Sequence, residues 1–125
     1  MLVNETKEIE GKTHFVRQMP AQQSLKFLSR LTKHTGGHLP QLVEGNLDIR
    51  GVLAMLKASE EDDLIPLIRD LVCMVRVDNE EITSAKFDMM FKGNMMYLFK
   101  VFAFCCEVQY RDFFEQGLSE LESNK

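Results

Sequence analysis

The stretch that decides the fold is residues 95–114, which read MMYLFKVFAFCCEVQYRDFF. Its apolar residues fall on most faces of a helix, and such a helix lies in the centre of a core or is covered by a partner. The longest apolar run, 95–106, contains Lys100 and is shorter than the roughly 20 residues that a membrane-spanning helix needs. The sequence therefore predicts a central hydrophobic C-terminal helix over about 94–116, followed by a frayed tail at 117–125.

An amphipathic helix is predicted near the start of the chain. Pro20 suits a helix start because it has no N–H to leave unpaired, and the AQQSLKFLSRLTKH that follows carries leucines at helical spacing. Gly36 and Gly37 should end this helix. Residues 38–46 are either a turn or a helical fragment.

A further helix is predicted after Asp48, whose side chain can cap the first turn. It should run to about Lys57 with three apolar residues facing inward: Val52, Leu53 and Leu56.

Two more helices are indicated by their boundary residues. Ser59 and the acidic run after it are typical of a helix start, which predicts a helix over about 60–75. Pro66 would be tolerated there only with local distortion or a later start. Residues 83–92 form another short helix that Gly93 closes.

β-structure is predicted at the N-terminus. β-branched and aromatic residues flank a Glu-Gly-Lys turn, which favours a hairpin with strands near 5–10 and 12–18. Residues 75–77, Val-Arg-Val, suggest a short extended piece before a turn at 78–79. The predicted fold class is α+β, mainly α, with an N-terminal β-hairpin, about five helices and a central hydrophobic C-terminal helix. We expect one domain over 1–125: hairpin 5–18, helical body 20–116 and frayed tail 117–125.

Charge is distributed unevenly. The net charge is −4, so the chain has no global basic field for nucleic acid. Residues 1–58 carry eight Lys or Arg and five Asp or Glu, a net of +3, whereas residues 59–125 carry seven and fourteen, a net of −7. This asymmetry is compatible with self-association or a charged partner, but solvated faces are the favoured explanation.

The three cysteines, Cys73, Cys105 and Cys106, lie in apolar stretches and contain no C-x-x-C. We predict buried free thiols, as in a reducing cytosol.

No catalytic, metal or cofactor site is predicted. His34 and His38 have a ligand spacing, but two glycines stand between them and a third ligand is missing. The acidic run 60–63 lacks the alternating spacing and glycine of a calcium loop. The remaining carboxylates pair with no histidine or nucleophile in a recognisable frame. The sequence therefore does not support an enzyme.

Candidate binding residues come from two groups. Methionine fills core gaps and also lines adaptable binding surfaces, and four methionines lie within eight residues here. Both interpretations stay open, although we expect partial exposure of Met89, Met90, Met95 and Met96, with Phe91 beside them. A basic stripe on the first helix is the second group: Lys26, Arg30 and Lys33.

Three motifs in one order carry a family resemblance. They are Arg-Gln-Met-Pro-Ala at 17–21, Phe-Asp-x-x-Phe-x-Gly at 87–93, and an aromatic followed by Phe-Phe at 110–114. In these, over about 12–115, the chain resembles the tail assembly chaperones of long-tailed bacteriophages. Gln109-Tyr110 stands where that family commonly has Asn-Tyr or Asn-Phe.

The resemblance implies a non-enzymatic role. Such chaperones bind the tape measure protein, keep it soluble and help tail-tube subunits assemble around it, in the host cytoplasm and not in the finished virion. They are often made in two lengths by frameshifting, and this chain would match the short form. Alternatives are a structural tail-completion or head–tail connector component of the virion and a small DNA-binding regulator. We expect self-association, no membrane contact and no nucleic-acid partner.

Overall fold

Within the described residues the fold consists of a four-stranded antiparallel sheet and six helices, and the C-terminal helix is at its centre. The structure, a computed structural model, describes residues 4–35, 39–44 and 48–123. In chain order the elements are β1 (Asn4–Ile9), β2 (Lys12–Arg17), α1 (Ala21–Thr35), α2 (Leu39–Val43), α3 (Ile49–Ala58), α4 (Glu61–Val72), β3 (Arg76–Val77), β4 (Glu80–Glu81), α5 (Ser84–Met90) and α6 (Met95–Ser123). The predicted α+β fold, mainly α, is confirmed.

The predicted N-terminal hairpin is confirmed. Glu10 and Gly11 both have positive φ, 54° and 76°, and two such residues form a tight turn whose twist matches antiparallel strands. Ile9 therefore pairs with Lys12, and the register continues to Asn4 opposite Arg17.

The sheet is larger than the sequence predicted. The turn at Asp78 and Asn79 is present, again with positive φ at both residues, and it joins β3 to β4. β3 pairs with β2 through His14 opposite Val77, which gives the strand order β1-β2-β3-β4. The predicted helical body 20–116 is corrected accordingly, because two strands interrupt it.

α6 is the centre of the core. It contacts α2, α4, β1 and β2, and every side chain from 101 to 108 is buried. With 29 residues it is about 44 Å long. The predicted helix end near 116 is wrong, since α6 continues to Ser123. The predicted single domain stays a prediction.

The predicted cap of α3 is present, but that of α4 is not. Asp48 accepts a hydrogen bond from the Gly51 N–H at 2.9 Å. Ser59 ends α3, and its buried hydroxyl has no hydrogen-bond partner within the described residues. Glu60 takes the N-cap position of α4 without a side-chain bond, and Pro66 lies inside that helix. Only two residues join α3 to α4, so Ser59 is used as the end of one helix and not as the cap of the next.

Two of the motifs behind the family resemblance, 17–21 and 110–114, are held close together by bonds that involve the residues beside them. The Gln109 side chain accepts from the Met19 N–H and donates to the Arg17 carbonyl, both at 2.8 Å. The Tyr110 hydroxyl donates to the Ser24 carbonyl at 2.7 Å. These bonds fix the turn between β2 and α1 on the surface of α6, so this part of the resemblance has a structural role.

Candidate functional site

An apolar groove of about 480 Å³ lies where α3, α4, α5 and α6 meet. Every residue that lines it is apolar: Ile49, Val52, Leu53, Leu56, Ile65, Ile68, Phe87, Met95, Met96, Leu98 and Phe99. Its volume lies in the range of ligand and peptide clefts. An exposed apolar groove is a candidate interaction site.

The walls of the apolar groove are exposed. On α3, Ile49, Leu53 and Leu56 follow the i, i+4, i+7 spacing of one helix face and are between 45% and 57% exposed. Ile65 of α4 faces them at 54%. The prediction that Leu53 and Leu56 point inward is therefore wrong. α3 is apolar on two faces, and the core takes the face with Val52 and Met55, which are 3% and 2% exposed.

The four candidate methionines divide between two places. Met95 and Met96, at the first turn of α6, line the apolar groove. Met89 and Met90 line a separate hollow of about 360 Å³ beside β3 and β4, which shares no lining residue with the groove. The expected exposure is confirmed, with Met89 the most exposed and Met90 half-buried.

Phe91 does not fit a binding role. It is 2% exposed, and its ring lies 5.3 Å from that of Phe87 and 5.1 Å from that of Tyr97. The chain turns after α5 at Gly93, where φ is +73°, so Phe91 is directed into the core and Met95 into the groove. We therefore correct its assignment from partner contact to core residue.

The basic stripe on α1 is interrupted. Arg30 pairs with Asp70 of α4 at 3.7 Å and lies 5.3 Å above the Phe27 ring. Lys26 and Lys33 are exposed. The three residues line none of the groove and remain an alternative contact surface.

Sequence reasoning missed the exposed apolar stripe of α3 and its neighbour Ile65. A signal was present, because α3 carries more apolar residues than one buried face accommodates. From the sequence, an excess of apolar faces is expected on α6 instead. There, however, Tyr97–Val108 is buried with the exception of Lys100.

A polar hollow of about 330 Å³ adjoins the apolar groove and shares Val52, Met96 and Phe99 with it. Glu107, whose side chain is 9% exposed, lines this hollow. Its Oε1 pairs with Arg111 at 2.5 Å. Its Oε2 lies 3.7 Å from the Lys7 ammonium and accepts no hydrogen bond within the described residues. At the rim, Lys100 pairs with Glu10 at 3.3 Å.

His14 makes stability depend on pH. Its Nδ1–H donates to the Lys12 carbonyl at 2.9 Å, so Nε2 accepts from the Tyr97 hydroxyl at 2.8 Å. Burial lowers the pKa of His14 below its ordinary 6.5, although the Lys12 carbonyl and the charge of Asp78 oppose this. The unfolded chain therefore binds the proton first as pH falls, and the free energy of unfolding decreases below about pH 6.5.

We expect wild-type protein to lose more unfolding free energy between about pH 7.5 and 5.5 than His14→Gln does. Urea titrations at the two pH values measure both losses. Equal losses would contradict the role of His14.

All three thiols are unpaired, as predicted, but they are not equally shielded. Burial raises the pKa of Cys105 to about 12 and that of Cys106 well above 9.0. Cys73 is only half-buried, and its pKa is also raised by burial. The prediction of full shielding is wrong for Cys73.

Because the thiolate is the reactive form, a maleimide should label native protein slowly and at Cys73 alone. Unfolded protein should show all three sites, and native Cys73→Ser should show none. Mass spectrometry counts the labels. Rapid native labelling at Cys105 or Cys106 would be incompatible with their burial.

The described residues contain neither a metal cluster nor a membrane-spanning helix. No three His, Cys, Asp or Glu side chains converge there as a metal site requires. His34 is described and half-buried, whereas its predicted companion His38 lies outside the described residues. No described helix has the length and apolar character to span a membrane.

Comparison with known proteins gives one family. The family model described as phage tail assembly chaperone protein, TAC, matches residues 10–121. No curated protein and no solved structure matches the chain. The matched segment contains the hairpin turn, the apolar groove and nearly all of α6. The chain therefore belongs to the phage tail assembly chaperone family.

Proposed function

We propose that this chain binds the tape measure protein of its phage in the apolar groove, keeps that client soluble and promotes assembly of the tail tube. The observation that carries the proposal is a groove lined only by apolar residues, with exposed walls, on a member of a tail assembly chaperone family. The family is not a known class of enzymes, and we propose no reaction and no cofactor.

The geometry suits a helical client. An amphipathic helix buries its apolar face in a groove through residues spaced i, i+3, i+4 and i+7. Three exposed residues of α3, Ile49, Leu53 and Leu56, could contact the apolar face of such a helix. The flexible side chains of Met95 and Met96 could adapt to different client sequences. Many copies on one long client would gain avidity from repeated weak contacts.

Co-expression tests the proposal. The tape measure protein should be soluble when produced with this chain, should co-purify with it, and should aggregate when produced alone. A tape measure protein that is equally soluble without the chain would contradict the proposed function.

Two further parts of the proposal concern partners and location. The tail-tube protein is a second proposed partner, which acts after the client is bound. We place the chain in the host cytoplasm and outside the mature particle. Mass spectrometry of purified virions separates this from a structural tail-completion or connector role, which requires the chain in the particle.

A DNA-binding role would depend on Lys26, Arg30 and Lys33. The pairing of Arg30 with Asp70 works against it, because a phosphate would have to compete with that carboxylate. A salt-dependent mobility shift with duplex DNA would support this alternative.

Self-association also remains a prediction, but it now depends on apolar surface other than the buried part of α6. The side chains of α6 from 97 to 108 are buried within their own chain, apart from Lys100, so the exposed apolar residues that a second copy could contact are outside this stretch. They include the walls of the apolar groove and Phe113, which is 58% exposed. We expect sedimentation to show a dimer or larger species that dissociates on dilution. A monomer at every concentration would rule this out.

A further inference from the structure

We propose that the polar hollow next to the apolar groove is a subsite for a Lys or Arg side chain of the bound helix. The partner is thereby defined chemically: an amphipathic helix whose apolar stripe ends in a basic residue. This inference rests on the proposed function, and it adds a specificity that the apolar groove alone does not supply.

The first observation is a buried carboxylate oxygen without a hydrogen bond among the described residues. Glu107 Oε2 is buried and accepts no hydrogen bond within the described part of the chain. Buried carboxylate oxygens are normally satisfied, since an unmade hydrogen bond to a charged group is costly. Lys7 lies 3.7 Å away, which is within ion-pair range and beyond hydrogen-bond range. A donor that enters the hollow would supply the missing bond.

The second observation is the charge of the hollow. Two lysines and three glutamates line it, a net of −1 for the lining: Lys7, Lys100, Glu8, Glu10 and Glu107. Arg111, which pairs with Oε1 of Glu107, does not line the hollow. A cationic donor therefore suits it better than a neutral or anionic one. Lys7 can give way to that donor because its side chain is 50% exposed.

The third observation is continuity. Val52, Met96 and Phe99 line both the apolar groove and the polar hollow. Lys and Arg have apolar stems below a charged head, and such side chains lay the stem along apolar surface while the head reaches a polar partner. The stem would cross these three residues and the head would meet Glu107. Apolar groove and polar hollow thus form one site for one amphipathic helix.

Synthetic helical peptides of about 20 residues test this. Each carries the same apolar stripe, which ends either in Arg or in Met, whose stem is also long and unbranched. Fluorescence anisotropy measures their affinity for the full chain. Wild-type protein should bind the Arg peptide about tenfold more tightly than the Met peptide, because a charge-assisted hydrogen bond is gained. Glu107→Gln should reduce this ratio below about twofold.

Lys7→Met provides a second test should Glu107→Gln fail to fold. It removes the competing cation from a half-exposed position, so the preference for the Arg peptide should increase. The polar subsite would be refuted if wild-type protein bound both peptides with equal affinity, or if Lys7→Met lost the preference for the Arg peptide. Neither result would contradict helix binding in the apolar groove. If wild-type protein binds neither peptide, both the subsite and the groove as a helix-binding site are refuted.

Discussion

Replacing Leu53 with Asp should abolish co-purification of the tape measure protein while the fold persists. Leu53 is 57% exposed on the wall of the apolar groove. In the complex its replacement would place an unpaired carboxylate in an apolar contact, which costs on the order of 3 kcal/mol and weakens binding about hundredfold. In the free chain the same change affects only exposed surface, at a cost of about 0.5 kcal/mol. Pull-down and urea unfolding measure the two effects.

Leu25→Asp is the matched control. Leu25 is also an exposed leucine on a helix, at 65%, and it does not line the groove. Co-purification should persist in this variant. Among the candidate methionines, Met95→Asp should weaken the complex and Met89→Asp should not, because only the former lies in the groove. Loss of client with Leu25→Asp or Met89→Asp, but not with Leu53→Asp, would place the binding surface elsewhere.

The largest loss of stability is expected from Phe102→Ala. Phe102 is fully buried in α6, with its ring perpendicular to that of Phe99 at 6.4 Å. Truncation removes this contact and leaves a cavity, which costs about 3–5 kcal/mol. Since small domains are stable by about 5–15 kcal/mol, most of the stability could be lost.

Phe113→Ala is the control for this substitution, because Phe113 lies on the same helix but is 58% exposed. Its cost should stay below about 1 kcal/mol. Urea denaturation gives both values. Similar losses for the two variants would mean that α6 is not the centre of the core.

Much of the fold could be predicted from residues that are neighbours in the sequence. The paired positive-φ turn at Glu10-Gly11 and the Asp48 cap depend on neighbours in sequence, so the residues themselves indicate them. β4 is different. Its two residues, Glu80 and Glu81, have no strand preference, and they are extended because β3 pairs with them. The four-stranded sheet could not be predicted from this segment.

The site was predicted only in part, for a similar reason. Met95 and Met96 were identified from the composition of their segment. For α3, however, Leu53 and Leu56 were predicted to face the core, whereas they are exposed. Either apolar stripe of α3 could face the core, and the choice depends on the position of α1, which α3 contacts. Phe91 was assigned wrongly because the sequence does not show that the chain reverses at Gly93 and brings the Phe91 ring to 5.1 Å from that of Tyr97.

Site-specific photo-crosslinking tests the central claim, that the apolar groove holds the client, most directly. A photoreactive benzoyl-phenylalanine would replace Leu53 in one sample, Leu25 in a second and Met89 in a third, each co-expressed with the tape measure protein. We expect a covalent adduct with the tape measure protein from position 53 and none from positions 25 and 89. Adducts from position 25 or 89 without one from position 53 would contradict it.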